Sequence, residues 1–70
     1  MQPLTQTIDE ELGYACGVYA YRSYPYMTTI ELRREARRAY ERACASMILV
    51  ESDFVDSYVH GWNDMREGRV

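Results

Sequence analysis

Residues 28–59 read TTIELRREARRAYERACASMILVESDFVDSYV and contain neither proline nor glycine. Thr28 and Glu31 form a capping-box pattern, which marks the start of a helix. Beyond it, apolar or small residues recur every three or four positions, the period of one helix face. These positions are Ala36, Tyr40, Ala43, Met47, Val50, Phe54, Tyr58, Trp62 and Met65. The pattern predicts a helix over residues 29–66, with a break at 51–53, where Ser52 or Asp53 could cap a third helix, as the alternative.

A shorter helix is predicted over residues 7–24. Thr7 and Glu10 repeat the capping-box pattern, and Tyr24 precedes a proline, which disfavours helix at that point. Residues 1–6 have no periodicity and are predicted to be a flexible N-terminal lead segment, and residues 25–28 are predicted to be a linker. Gly13 and Gly17 lie four residues apart, and they either let another backbone come close or are simply tolerated in this helix.

The fold class that follows is all-α, a helical hairpin with a short first helix and a long second one. A first helix of about 17 residues covers about 25 Å, roughly half of its partner. The uncovered apolar stripe predicts an antiparallel homodimer, with an interface formed by Met47, Val50, Phe54, Tyr58 and Trp62. If the long helix breaks, the same residues fold back into the core of a single chain.

Composition narrows the class of protein. The 70 residues make one small domain with 47% hydrophobic residues and a net charge of −3. Cys16 and Cys44 form no CxxC pair, which argues against a disulfide scaffold or a zinc knuckle. The longest apolar run covers residues 47–50, far short of the roughly 20 needed to cross a bilayer. We therefore expect a cytoplasmic protein with no membrane partner.

No motif predicts catalysis. His60 is the only histidine, and the chain has neither a glycine-rich phosphate loop nor a nucleophile elbow. Asp56, His60 and Asp64 fall on one helical ridge that could contact a divalent ion, but a solvated polar face is the favoured interpretation, since metal sites usually draw on several elements. We expect no catalytic residue, no cofactor and no metal.

Arginine and tyrosine are the candidates for binding. Five arginines crowd residues 33–42, and seven tyrosines are more than a core of this size could hide. Both residue types dominate protein-binding hot spots. The predicted partner-binding residues are Arg33, Arg34, Arg37, Arg38, Tyr40, Tyr21, Tyr24 and Tyr26. The alternatives are an arginine helix that grips DNA phosphates, which the acidic total disfavours, and an exposed helix face laced with salt bridges.

The tail carries a resemblance. Tyr58, Gly61, Trp62, Asp64, Arg66 and Gly68 form a Tyr-x-x-Gly-aromatic-x-Asp-x-Arg-x-Gly ending over about a sixth of the chain, similar to the endings of small phage and prophage proteins. In size and style the chain also resembles phage early proteins that disable host regulators, the quorum-sensing anti-activators of Pseudomonas phages above all. That resemblance implies a homodimer that inhibits a host transcription factor or motor ATPase in the host cytoplasm. A virion assembly component is a further alternative.

Overall fold

The computed structural model describes residues 8–69, which form three α-helices and no strand. Helix α1 spans Ile8–Ser23, α2 spans Thr29–Ala43 and α3 spans Glu51–Arg66. The all-helical class predicted from the sequence is confirmed, whereas the two-helix hairpin is wrong. The predicted lead and the Thr7 capping box lie outside the described residues.

Helix α2 begins where its capping box predicts. The Thr28 hydroxyl accepts a hydrogen bond from the Glu31 amide at 3.1 Å, and the Glu31 carboxylate accepts one from the Thr28 amide at 2.9 Å. These reciprocal bonds satisfy two backbone donors that the first turn of a helix leaves unpaired. The start of α2 is therefore set by local chemistry.

The unbroken helix over residues 29–66 is wrong, and the chain leaves helical geometry at residues 44–50, ahead of the break considered at 51–53. This connection turns the chain back, so that Leu49 enters the core and α3 lies beside α1. The physical reason is burial. In a straight continuation the large apolar residues of α3 would lie beyond the end of α1, and each one buried adds about 1.5–3 kcal/mol of stability.

Helices α1 and α3 pack at very short range and run in the same direction. Their contacts pair Gly13 with Phe54 and Gly17 with Tyr58, and Gly61 lies against the Tyr14 backbone. A Cβ at any of these glycines would overlap a carbonyl oxygen of the neighbouring helix. The close-approach interpretation of Gly13 and Gly17 is confirmed, while Gly61 is a third contact that the sequence analysis did not assign.

The core explains why the predicted dimer interface needs correction. Phe54 is 0% exposed within the single chain, and Tyr58 and Trp62 are each 3% exposed, whereas Met47 and Val50 lie on the surface. Three of the five predicted interface residues are therefore already covered by α1 and α2. The core consists of Ala20, Leu32, Ala36, Ala39, Leu49, Phe54, Val55, Tyr58 and Trp62.

Helix α2 lies mainly on α3 and has few contacts with α1. It runs antiparallel to α3, because Arg33 contacts Asp56 while Arg37 contacts Glu51. The sparse contact between α1 and α2 leaves a groove between them, with α3 as its floor. Among residues 8–69, no helix has the length and apolar character needed to cross a bilayer.

Candidate functional site

The arginines of α2 divide into two faces. Arg33 and Arg37 point toward α3, where Arg33 Nη1 lies 3.6 Å from Asp56 Oδ1 and Arg37 Nε lies 3.2 Å from Glu51 Oε2. All four side chains are substantially exposed, so each pair contributes little to stability. Their effect on function is more direct, because these two guanidinium groups already have carboxylate partners within the chain.

Arg34 and Arg38 lie on the other side of α2. With Tyr24 and Tyr26 of the linker between α1 and α2, which spans residues 24–28 in the structure, they line a shallow groove of about 390 Å³. We call this surface the arginine–tyrosine face, and it comprises Tyr24, Tyr26, Met27, Glu31, Arg34, Glu35 and Arg38. Arg38 Nη1 lies 3.9 Å from Glu35 Oε1, and Arg34 has no ion pair among the described residues. Four of the eight predicted partner-binding residues are therefore brought together here.

The linker tyrosines of this face are accessible. Tyr24 is 53% exposed and Tyr26 is 92% exposed. Both lie beside the arginines of α2, in the segment that precedes the Thr28 capping box. The face thus offers two aromatic rings and two guanidinium groups to one contacting surface.

Tyr21 and Tyr40, two further predicted partner-binding residues, are only partly exposed and lie at the edge of the core. The Tyr21 ring packs edge-on against Trp62, with ring centroids 5.4 Å apart. The Tyr40 ring packs 6.0 Å from Phe54, and its hydroxyl donates to the Leu49 carbonyl at 3.3 Å. Tyr40 therefore helps to hold the connection between α2 and α3.

A second, larger groove adjoins this face. It has a volume of about 820 Å³ and shares Tyr24 and Glu35 with the arginine–tyrosine face. Its walls are largely small side chains, and Tyr58 of α3 forms the floor. We call it the α1–α2 groove, and it is lined by Ala15, Cys16, Tyr19, Ala20, Ser23, Tyr24, Glu35, Ala39, Arg42, Ala43 and Tyr58.

Two titratable groups of the α1–α2 groove are held in their neutral forms. Burial, with a smaller effect from the Glu35 carboxylate, raises the pKa of the Tyr58 phenol to about 12. Burial also raises the pKa of the Cys16 thiol, and the Arg42 charge opposes part of that rise. Since the thiolate is the nucleophilic form of cysteine, Cys16 is not activated for attack.

A polar cluster joins α1 to the C-terminal part of α3. The Tyr14 hydroxyl donates to Asp64 Oδ2 at 2.6 Å, while His60 Nε2 lies 3.3 Å and Arg69 Nη1 3.6 Å from the same carboxylate. The hydrogen bond to Asp64 raises the pKa of Tyr14. Asp64 is buried, so these partners offset the cost of taking its charge out of water.

The helical ridge considered as a metal site does not form one group of ligands, because its two acids contact different helices. Asp64 belongs to the Tyr14 cluster, and Asp56 pairs with Arg33 on α2. Across residues 8–69, no three His, Cys, Asp or Glu side chains are grouped so that they could hold a metal ion.

The tail motif is accounted for by packing. Gly61 admits the α1 backbone, and Trp62 Nε1 donates to the Tyr24 carbonyl at 2.9 Å. Asp64 accepts the Tyr14 hydroxyl. Each of these positions therefore fastens α3 to α1 or to the linker. When the chain is compared with family models, with curated proteins and with solved structures, nothing matches it.

Proposed function

We propose that this chain is a non-enzymatic binding protein that inhibits a host regulatory protein, such as a transcription factor or a motor ATPase, by covering part of its surface. The observation that carries the proposal is the arginine–tyrosine face. Arg34, Arg38, Tyr24 and Tyr26 converge there from two separate segments. Large rigid rings beside guanidinium groups are the usual composition of a binding hot spot.

The ion pairs of the α2 arginines indicate which charge the partner presents. Arg33 and Arg37 are matched with acids of α3, whereas Arg34 has no acid partner among the described residues and Arg38 has only a distant one. We therefore expect the partner to place acidic groups beside Arg34 and Arg38. With a net charge of −3 the whole chain does not attract polyanions, so recognition depends on this local face and not on a general field.

The experiment compares two double variants that remove the same charge from the same helix. The chain is immobilised and used to capture proteins from a bacterial lysate, which are identified by mass spectrometry. Arg34→Ala with Arg38→Ala should abolish capture of the specific partner. Arg33→Ala with Arg37→Ala, the matched control, should retain it. A captured regulator should lose its activity when the wild-type chain is added.

Equal loss with both double variants would mean that net charge, and not this face, drives capture. Recovery of nothing above background by the folded wild-type chain would remove the proposal. Salt-sensitive retention on duplex DNA, abolished by the same arginine changes, would favour the DNA-binding alternative instead.

A further inference from the structure

The α1–α2 groove contains two polar groups of α2 that lack good partners among the described residues. Glu35 Oε1 is buried and accepts no hydrogen bond from any of them, and the Arg38 guanidinium lies 3.9 Å away. Arg42 has no ion pair among residues 8–69. The two residues line the same groove seven positions apart on α2, which is about 10.5 Å along the helix axis.

An unpaired buried carboxylate oxygen is costly, and native proteins rarely retain one. A ligand that brings a donor to Glu35 would remove that cost. Tyr58 lies at the floor of the same groove, and its hydroxyl can also donate to an incoming group. A complementary ligand therefore carries a hydrogen-bond donor at the Glu35 end of the groove and an acidic group at the Arg42 end.

The shape of the groove indicates what kind of ligand this is. Its walls are two antiparallel helices whose facing residues are mostly small, including Ala15, Ala20, Ala39 and Ala43. Small side chains let a third helix approach closely and leave room for its larger apolar residues. On α1 the groove runs from Ala15 to Ser23, or about 12 Å, and so matches more than two turns of helix.

We infer that the α1–α2 groove receives an amphipathic helix of the partner protein, which places a basic side chain on Glu35 and an acidic one on Arg42, about two turns apart. This inference rests on the proposed function, because it names the segment of the partner that enters beside the arginine–tyrosine face. The apolar side of that helix covers the alanine walls of the groove.

A second copy of this chain is a poorer occupant. The exposed large apolar residues of the described chain form no stripe on any of its helices, because α1 carries only Ile8 and Tyr19, α2 carries only Ile30, and α3 carries none. A helix needs such a stripe, at positions three or four apart, to fill a groove of this kind. The three described helices therefore offer no exposed apolar face with which a second copy could fill the groove.

The test uses a displayed library of amphipathic helical peptides, selected against the intact chain. We expect the selected peptides to carry a basic and an acidic residue about two turns apart within their apolar face. Ala15→Arg, an exposed position on the groove wall, should weaken their binding at least about tenfold. Ala45→Arg places the same side chain at an exposed alanine outside the groove and should change the affinity less than about twofold.

Two further variants test the charge pattern. Glu35→Gln should weaken peptide binding, because it removes the contact with the basic residue of the peptide. Replacing that basic residue with glutamine should then have little additional effect on the affinity. Arg42→Gln should show the same relation with the acidic residue. Circular dichroism establishes that each variant is folded before its affinity is measured.

Three results would overturn the inference: selected peptides without the charge pair, peptides insensitive to Ala15→Arg, or self-association that Ala15→Arg abolishes. Its failure is distinguishable from failure of the proposed function. Capture of a regulator that depends on Arg34 and Arg38 but not on Ala15 would retain the function and reject the helix in the groove.

Discussion

At the scale of single residues, glycine decides how closely α1 and α3 pack. The spacing of Gly13 and Gly17 left close contact as one of two interpretations, and the fold selects it, since both lie against the backbone of α3. Gly61 also had a usable signal, because it lies three residues after Tyr58, on the side of α3 that carries the apolar stripe. What the pattern could not supply was the identity of the opposing helix, since contacts between distant segments leave no local trace.

Gly17→Ala separates close packing from helix propensity. In an exposed helix this change would stabilise the fold by about 1 kcal/mol. Here the new Cβ would overlap the Tyr58 carbonyl oxygen, so we expect a net loss of about 1–3 kcal/mol. Urea denaturation measures the difference. A more stable variant would contradict the close contact between α1 and α3.

The Tyr58 phenol makes stability depend on alkaline pH. Its pKa in the folded chain is raised to about 12 from an ordinary value of 10.0, so folding favours the protonated form. This contribution is complete below pH 10 and is lost as the pH rises from 10 through 12. We expect the stability of the wild type to fall more steeply than that of Tyr58→Phe over this range. Denaturation at a series of pH values measures both, and parallel curves would show that Tyr58 is not the titrating group.

At the scale of elements, the three helices differ in how far their sequence determines them. The start of α2 follows from the Thr28 capping box, and the end of α1 lies just before Pro25. The connection between α2 and α3 has no proline or glycine to mark it. It is set by tertiary contacts, with Leu49 buried and the Val50 amide donating to Asp9 Oδ2 at 2.7 Å. Such partners, 41 positions apart, lie beyond any periodicity argument.

Asp9→Ala tests this long-range cap. Val50 is the N-cap residue of α3 and makes no side-chain cap hydrogen bond, while its own amide donates to the Asp9 carboxylate. We expect the substitution to cost about 1 kcal/mol and to speed amide exchange in the first turn of α3. Glu11→Ala removes the same charge from the same turn of α1 and is the matched control. Equal effects of the two changes would reduce the contact to a general charge effect.

At the scale of the whole molecule, the return of α3 onto α1 removes the original reason to expect a dimer. The predicted homodimer depended on an uncovered stripe, and its largest residues, Phe54, Tyr58 and Trp62, are buried within one chain. The candidate site could be predicted from the sequence only in part. Residue type singled out Arg34, Arg38, Tyr24 and Tyr26, but only the fold shows that Arg33 and Arg37 face the acids of α3.

The mass in solution checks this reading of the core. We expect light scattering to give a value close to the 8.2 kDa of one chain. Thermal unfolding followed through Trp62 should then have a midpoint that does not change with protein concentration. A mass near twice that value, with a midpoint that rises with concentration, would restore the homodimer and require an interface outside the buried stripe.

The central claim is that the arginine–tyrosine face, and not the salt-bridged face of α2 and α3, contacts the partner. The most direct measurement is a titration of the captured partner into isotopically labelled chain, followed by amide chemical shifts. We expect the largest changes at Tyr24, Tyr26, Arg34 and Arg38, with Asp56 and His60 unaffected. Changes confined to the exposed side of α3, around Asp56 and His60, would contradict the account.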